Sequence, residues 1–369
     1  MSATLSSEDI SRRLDRLARR YARKPAVGEL SLAVAHPPTG FAWTWGAGRP
    51  YFIASITKLF TAALIMQLRA EGRLELDTRA VDILGSATMR GLAVVEGIDR
   101  SAEVTVGQLL RHTSGIPDYF ELRGADGSSL AERMLTRDES WDFDRLVQRA
   151  RELPSPFAPG SPGRAHYSDT NYQLLGRLIE LCTGRPFEQV VRSRIIEPLG
   201  LSATWLFTRD TLGRYDSVAS IRHGRRDLRI PLTMASFAPD GAVVATAEDQ
   251  LAFLRAFLSG ELFPAEYLAE MTAEWNSPLG GWVPLQYGVG IMRFALPRWQ
   301  TFPIRVPPMI GHAGATGSVL FADPVHGLLI AGTVNQMQPR RLPYPLLARI
   351  TATVGPLVSA DRAASVTAT

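Results

Sequence analysis

Ser55-Ile56-Thr57-Lys58 opens a long helical pattern whose apolar positions are Leu59, Ala62, Ala63, Met66 and Leu68, and which stops at Glu71-Gly72. A serine and a lysine three apart at a helix start share one face, about one turn from each other. A serine hydroxyl is a poor nucleophile until a neighbour takes its proton, and a lysine amine does so once desolvation or nearby positive charge lowers its pKa. The helix dipole also favours negative charge developing at this end. Ser-x-x-Lys alone is a weak signal, but this chain is poor in lysine. Of its 40 basic residues only Lys24 and Lys58 are lysines, so a chance match falls to roughly one in seven at ordinary serine frequency. Arginine cannot give up its proton, whereas lysine can.

Two later segments carry matching chemistry. Tyr167-Ser168-Asp169 precedes a helical pattern that starts near Asn171. A phenol relays a proton when cations stabilise its phenolate, although a lone tyrosine of this kind reads more simply as a buried side chain with a satisfied hydroxyl. His312-Ala313-Gly314-Ala315 runs into Thr316-Gly317-Ser318 and a strand. Small residues there let the backbone approach a ligand closely, and a free N–H would complete an oxyanion hole with that of Ser55. By itself the segment reads equally as the glycine-rich start of a strand.

Around these segments the pattern predicts a β-hairpin over 27–45, turning at His36-Pro37-Pro38-Thr39-Gly40. Helical segments dominate 55–240, at 106–112, 130–135, 144–151, 171–182 and 187–196, with a further helix at 248–258. Strand signals return at 288–294, 318–322 and 327–334, the last two flanking the loop Asp323-Pro324-Val325-His326. A last helix is predicted over 342–352 and a flexible tail over 357–369. The expected class is α/β (α+β): an antiparallel sheet built from the N- and C-terminal segments and flanked by helices, with an inserted, mainly helical lobe. The lobes would be 1–54 with 241–356, and 55–240, leaving a cleft between them.

Bulk properties narrow the function classes. The net charge is +4 over 369 residues with no dense basic run, which gives no case for nucleic acid. One cysteine, Cys182, excludes an internal disulfide. No window approaches the roughly 20 apolar residues of a membrane span. The N-terminal stretch reads as an amphipathic helix through Ile10, Leu14, Leu17 and Tyr21, with no secretory signal visible, so the expected location is cytoplasmic. No His-Glu-x-x-His, helical histidine pair or phosphate loop occurs, and no metal or cofactor is expected. The absence of Gly-x-Ser-x-Gly sets aside an α/β-hydrolase. Ser114, in His112-Thr113-Ser114-Gly115, is read as part of a turn shaping the cleft. Asp118 and Tyr119 beyond it are read as site wall or plain loop. Trp205, Trp282 and Trp299 are candidates for an aromatic substrate wall, a core or rim role being the simpler reading.

Taken together, Ser55-x-x-Lys58, Tyr167-x-Asp169 and His312-x-Gly314, in that order, resemble the serine β-lactamase and penicillin-binding-protein family. The likeness is strongest to the branch holding class C β-lactamases, D,D-carboxypeptidases and esterases. Leu109-Leu110-Arg111-His112-Thr113-Ser114-Gly115-Ile116-Pro117 and Glu197-Pro198-Leu199-Gly200-Leu201 look like that branch too. The resemblance implies that Ser55 is acylated, that Lys58 and Tyr167 share general-base and general-acid duty, and that Ser55 and Ala315 offer oxyanion N–H groups. Tyr119, Asp169, His312 and Gly314 would meet the substrate, a small ester or amide. Two departures stand out. His312 replaces the lysine of many relatives, which weakens the case for carboxylate-bearing β-lactams. Asp169 replaces an asparagine, and an ionised aspartate only accepts hydrogen bonds; either it holds Lys58 as an ammonium, leaving Tyr167 as the base, or it is protonated or turned away. The implied activity is that of an esterase- or amidase-type hydrolase. An acyltransferase or amide synthase using the same acyl-enzyme, a D,D-carboxypeptidase or β-lactamase, and a non-catalytic binding module are the alternatives, and oligomeric state is left open.

Overall fold

A computed structural model describes residues 6–46, 48–280, 284–301 and 306–367, the last with backbone only beyond 357 and likewise at 300 and 301. Its frame is a seven-stranded antiparallel sheet. The strands are β1 (Ser31–His36), β2 (Phe41–Trp45), β3 (Leu285–Tyr287), β4 (Met292–Phe294), β5 (Met309–Gly314), β6 (Ser318–Asp323) and β7 (Leu328–Thr333). They lie in the order β3-β4-β5-β6-β7-β1-β2. The two ends of the chain therefore meet where β1 pairs with β7, with Ser31 opposite Thr333 and Ala35 opposite Leu329. The β1–β2 turn closes through Pro37–Thr39 and Gly40, whose φ of +68° suits a residue without Cβ.

Every residue of β6 and β7 is buried, so both faces of the sheet centre are covered. Helix α4 (Ala247–Ser259) lies against β7, β1 and β6. Helices α1 (Ser7–Ala22) and α5 (Pro343–Thr367) pack on each other and reach β2, β6 and β7. α1 starts where a capping box predicts it: Ser6 accepts from the Asp9 N–H at 3.1 Å while Asp9 accepts from the Ser6 N–H at 3.3 Å. It buries Ile10, Leu14, Ala18 and Tyr21.

Between β2 and β3 in the sequence come α2 (Thr57–Ala70) and α3 (Asp169–Thr183), packed on one another. All of α2 except Gln67, Arg69 and Ala70 is buried, as expected of a helix that is apolar on every side. A small sheet of Tyr51–Phe52, Val243–Ala245 and Trp205–Leu206 anchors the segment leading into α2.

Two expectations are corrected. The predicted strand 288–294 is strand only over β4; residues 288–291 turn the chain back from β3, which ends at Tyr287. Gly290 there has φ +70°, and a Cβ on Gly288 would lie 2.3 Å from the Met271 carbonyl oxygen. The predicted tail 357–369 is helical as far as Thr367, its last two residues lying outside the described ones. α5 continues through Pro356 because Val354 and Leu357 stay in the core on either side of it.

Gly176 decides how a loop important below is seated. In a helix interior Gly→Ala ordinarily gains about 1 kcal/mol, but a Cβ at 176 would stand 2.4 Å from the Pro239 ring, which cannot rotate away. Overpacking of this kind costs about 1–3 kcal/mol. Gly176→Ala is therefore expected to lower stability in urea unfolding by up to about 2 kcal/mol net; a gain would show that the 239 loop yields freely.

Candidate active site

Ser55 does not lie in α2 proper. It sits in the tight turn Ala54–Ile56 that leads into it, half-buried, with Ala54 at φ +48°. A left-handed alanine costs about 1–2 kcal/mol, so the surroundings must hold it there. They do so from the sheet. Thr316 Oγ1 donates to the Phe52 carbonyl at 2.8 Å, and Ser318 Oγ donates to the Ile53 carbonyl at 2.8 Å. Gly314, at the end of β5, lets the turn press against the strand: a Cβ there would lie 2.3 Å from the Ile53 carbonyl oxygen and 3.1 Å from Ala54 Cβ. Gly314 thus seats the backbone before Ser55.

Lys58 follows one turn later and is wholly buried. Its Nζ donates to Ser55 Oγ at 3.1 Å and to the Asp240 carbonyl at 2.8 Å, and it pairs with Asp169 Oδ1 at 2.6 Å. Burial alone would push this amine down, but the Asp169 charge outweighs it, helped by Tyr167 and Asp240, and the net shift is upward. Three oxygens surround the Lys58 amine, and the net shift is toward the ammonium form.

Asp169 is the first residue of α3, where the helix dipole favours a carboxylate. Its N–H donates to Asp118 Oδ1 at 2.9 Å. Asp118 is buried and also accepts from the Phe120 and Glu121 N–H groups; burial, then the Asp169 charge, raises its pKa. Asn171, in the first turn, accepts from Ser114 Oγ at 2.7 Å and so ties α3 to the His112–Gly115 turn. That turn is structural: a Cβ on Gly115 would lie 2.0 Å from the Phe157 carbonyl oxygen.

The Tyr167 ring stacks on His112 at 4.3 Å between centroids, and Lys58 Nζ lies 5.2 Å from its own ring centre. The Tyr167 hydroxyl is buried with no well-aligned hydrogen bond among the described residues. Burial raises the phenol pKa and the Asp169 charge adds to the rise, while Lys58 chiefly, with Ser55, pulls against it without cancelling it. His112 accepts the Ser168 N–H on Nδ1 at 3.1 Å and is kept neutral by burial and the Lys58 charge.

A small open cavity of about 60 Å³ adjoins Ser55. Ser55, Tyr119, Asp169, Asp240, Ala315 and Thr316 supply its polar lining. Phe120, Met134, Ile221, Met234, Phe237 and Met337 supply the apolar wall. Tyr119 donates to Asp240 Oδ2 at 2.7 Å. His312 is not part of the lining. It is wholly buried, with Nε2 3.1 Å from the Tyr287 hydroxyl and Nδ1 2.8 Å from the Ala313 carbonyl oxygen, and burial lowers its pKa to about 3. Its expected contact with substrate is corrected: both ring nitrogens are engaged inside the protein. Neither Trp205 nor Trp299 lines the wall: Trp205 is buried elsewhere and Trp299 is 79% exposed. Trp282 lies outside the described residues.

Asp240 was missed by the sequence reading. Pro239-Asp240-Gly241 carries a turn signature but nothing that points to a site. Thr61 Oγ1 donates to the Pro239 carbonyl at 2.6 Å, and Thr57 Oγ1 accepts the Val243 N–H at 3.0 Å, so the segment is laid along α2 from both sides of Lys58.

The Beta-lactamase family model matches residues 14–352. "Penicillin-binding protein 4" of Amycolatopsis lactamdurans is 29% identical over 321 residues, covering 83% of this chain and 77% of that protein. "Esterase EstB" of Burkholderia gladioli is 28% identical over 214 residues, covering 54% and 52%. Among solved structures, a D-stereospecific amidohydrolase from Streptomyces sp. superposes with a TM-score of 0.69 at 28% identity, over 88% of this chain and 94% of that one.

The buried ion pair gives a stability test. Removing one partner of such a pair leaves an uncompensated charge and costs about 3–5 kcal/mol. Lys58→Met should lose that much in urea unfolding, and adding Asp169→Asn should recover a large part of it. Equal instability of the single and double variants would show that Lys58 is held by something other than Asp169.

Proposed function

We propose, from the premise that the chain belongs to the Beta-lactamase family, that it is a serine acyl-enzyme hydrolase acting on a small ester or amide, with Ser55 as the nucleophile. The observation that carries this is the placement of Ser55 Oγ: it accepts from a buried ammonium at 3.1 Å and faces an open cavity. The relatives named an esterase and an amidohydrolase support the reaction class. The lobes 1–54 with 241–356 and 55–240 belong to the same reading, since the site draws Ser55, Lys58, Tyr167 and Asp169 from one and Ala315 from the other.

The steps follow from the donors. The substrate carbonyl sits with its oxygen toward the Ser55 and Ala315 N–H groups, which stabilise the charge that develops there. Ser55 Oγ attacks and must lose its proton. Lys58 cannot take it, because an ammonium has no free lone pair. Tyr167 is the remaining group, acting as phenolate with the Lys58 charge opposing the cost of burial. Tyr167 then returns the proton to the leaving alcohol or amine, and a water repeats the sequence to free the acid. Lys58 orients Ser55 and Tyr167 and compensates their charge.

Ser55→Ala is expected to abolish ester turnover and the mass adduct left by a phosphonate or slow ester; persistence of either would refute the nucleophile. Lys58→Arg keeps the charge but does not fit the three short contacts, so a loss of at least a hundredfold is expected in kcat/KM; near-normal rates would reduce Lys58 to a generic cation. Because the phenol titrates above its ordinary range, the acylation rate should climb by about tenfold per unit across pH 7–9. A rate that is flat above pH 7 would exclude the Tyr167 phenolate as base.

A further inference from the structure

The cavity beside Ser55 has an uneven chemistry. Its apolar wall is built from Met134, Met234, Met337, Phe120, Phe237 and Ile221. Methionine and phenylalanine offer polarisable, adaptable surface that suits an alkyl or aryl chain. The charged groups that line it, Asp169 and Asp240, are both carboxyl groups, and no arginine, lysine or histidine lines it among the described residues. The nearby cation, Lys58, stands behind Ser55, wholly buried and already paired with Asp169 at 2.6 Å. His312 is turned away and neutral. A carboxylate on the substrate's acyl chain would leave water for an apolar wall, find no cation, and face Asp240 across the cavity. Burying an unpaired charge is costly, and placing it near a like charge adds to that cost.

Asp240 is built into this position. Its Oδ2 accepts from Tyr119 Oη at 2.7 Å and from Gln173 Nε2 at 3.2 Å, while its main-chain carbonyl accepts from Lys58. Burial, then the Asp169 charge, pushes its carboxyl pKa up to about 7, so the group is largely ionised at pH 8.

We propose that the site selects acyl donors with an apolar, uncharged acyl chain and rejects those bearing a carboxylate on that chain, and that Asp240 is the residue that sets the discrimination. This rests on the acyl-enzyme reading above and specifies its substrate class.

The test compares p-nitrophenyl pentanoate with the p-nitrophenyl monoester of glutaric acid, which has the same number of acyl carbons and ends in a carboxylate. Both are assayed at pH 8 with each kcat/KM divided by the ester's own hydroxide-catalysed rate. The expected ratio favours pentanoate by at least thirtyfold, and Asp240→Asn is expected to narrow it by fivefold or more. A ratio below threefold in the unmodified protein, or an unchanged ratio in a folded Asp240→Asn, overturns the proposal. Should Asp240→Asn fail to fold, Met234→Arg supplies the missing cation on the wall and should raise the relative rate of the glutarate ester at least tenfold; no rise also overturns it. Ser55→Ala separates the two levels: turnover that survives it means the nucleophile assignment has failed, whatever the selectivity.

Discussion

The ammonium of Lys58 has no water to fall back on. It is enclosed at the start of the central helix and satisfied by a carboxylate, a hydroxyl and a main-chain carbonyl that come from three separate parts of the chain. Burying a charge in this way is tolerable only if every partner is in place. The rest of the site is arranged to keep them there. The Asp169 carboxylate is set by the first turn of α3 and by Asp118, the Asp240 carbonyl by a loop seated on Gly176 and bonded to Thr57 and Thr61, and Ser55 by the strand hydroxyls of Thr316 and Ser318.

That arrangement has a chemical consequence. The Asp169 carboxylate shifts Lys58 toward the ammonium form. In the mechanism proposed above the lysine then serves as electrostatic support, and the phenol of Tyr167 carries the proton traffic. The same carboxylate, together with Asp240, gives the cavity an anionic lining against an apolar wall. One substitution in the motif therefore touches both the proton path and the choice of substrate, because in a dry site each charge is felt by every neighbour.

The antiparallel sheet made from both chain ends, and the contact of Lys58 with Ser55, were legible in the sequence, whereas Tyr167 came in only through the family resemblance. The first follows from strand signals confined to the two ends, and Ser55 with Lys58 follows from helical spacing. Other features were not legible. The orientation of His312 depends on which face of β5 it occupies, and a one-residue choice in an alternating strand reverses the answer. The role of Asp240 lies partly in its carbonyl oxygen, which every residue possesses. The cavity wall is assembled from single residues on unconnected loops, so no local pattern announces it. The turn within 288–294 was hidden because its flanking residues are good strand formers, and only close contacts around the two glycines reveal it.

The chain holds two lysines, so isotope labelling of lysine side chains yields two signals. Lys24 lies 3.5 Å from the Tyr21 ring centre and titrates below the ordinary lysine range, which makes it an internal comparison. The most direct measurement is the pH titration of the Lys58 Nζ and Cε resonances by NMR. The account predicts that Lys24 titrates while Lys58 keeps the shift of an ammonium through pH 10.5. An inflection for Lys58 at or below pH 8 would make it a neutral amine at working pH and would contradict the ion pair on which the site is built.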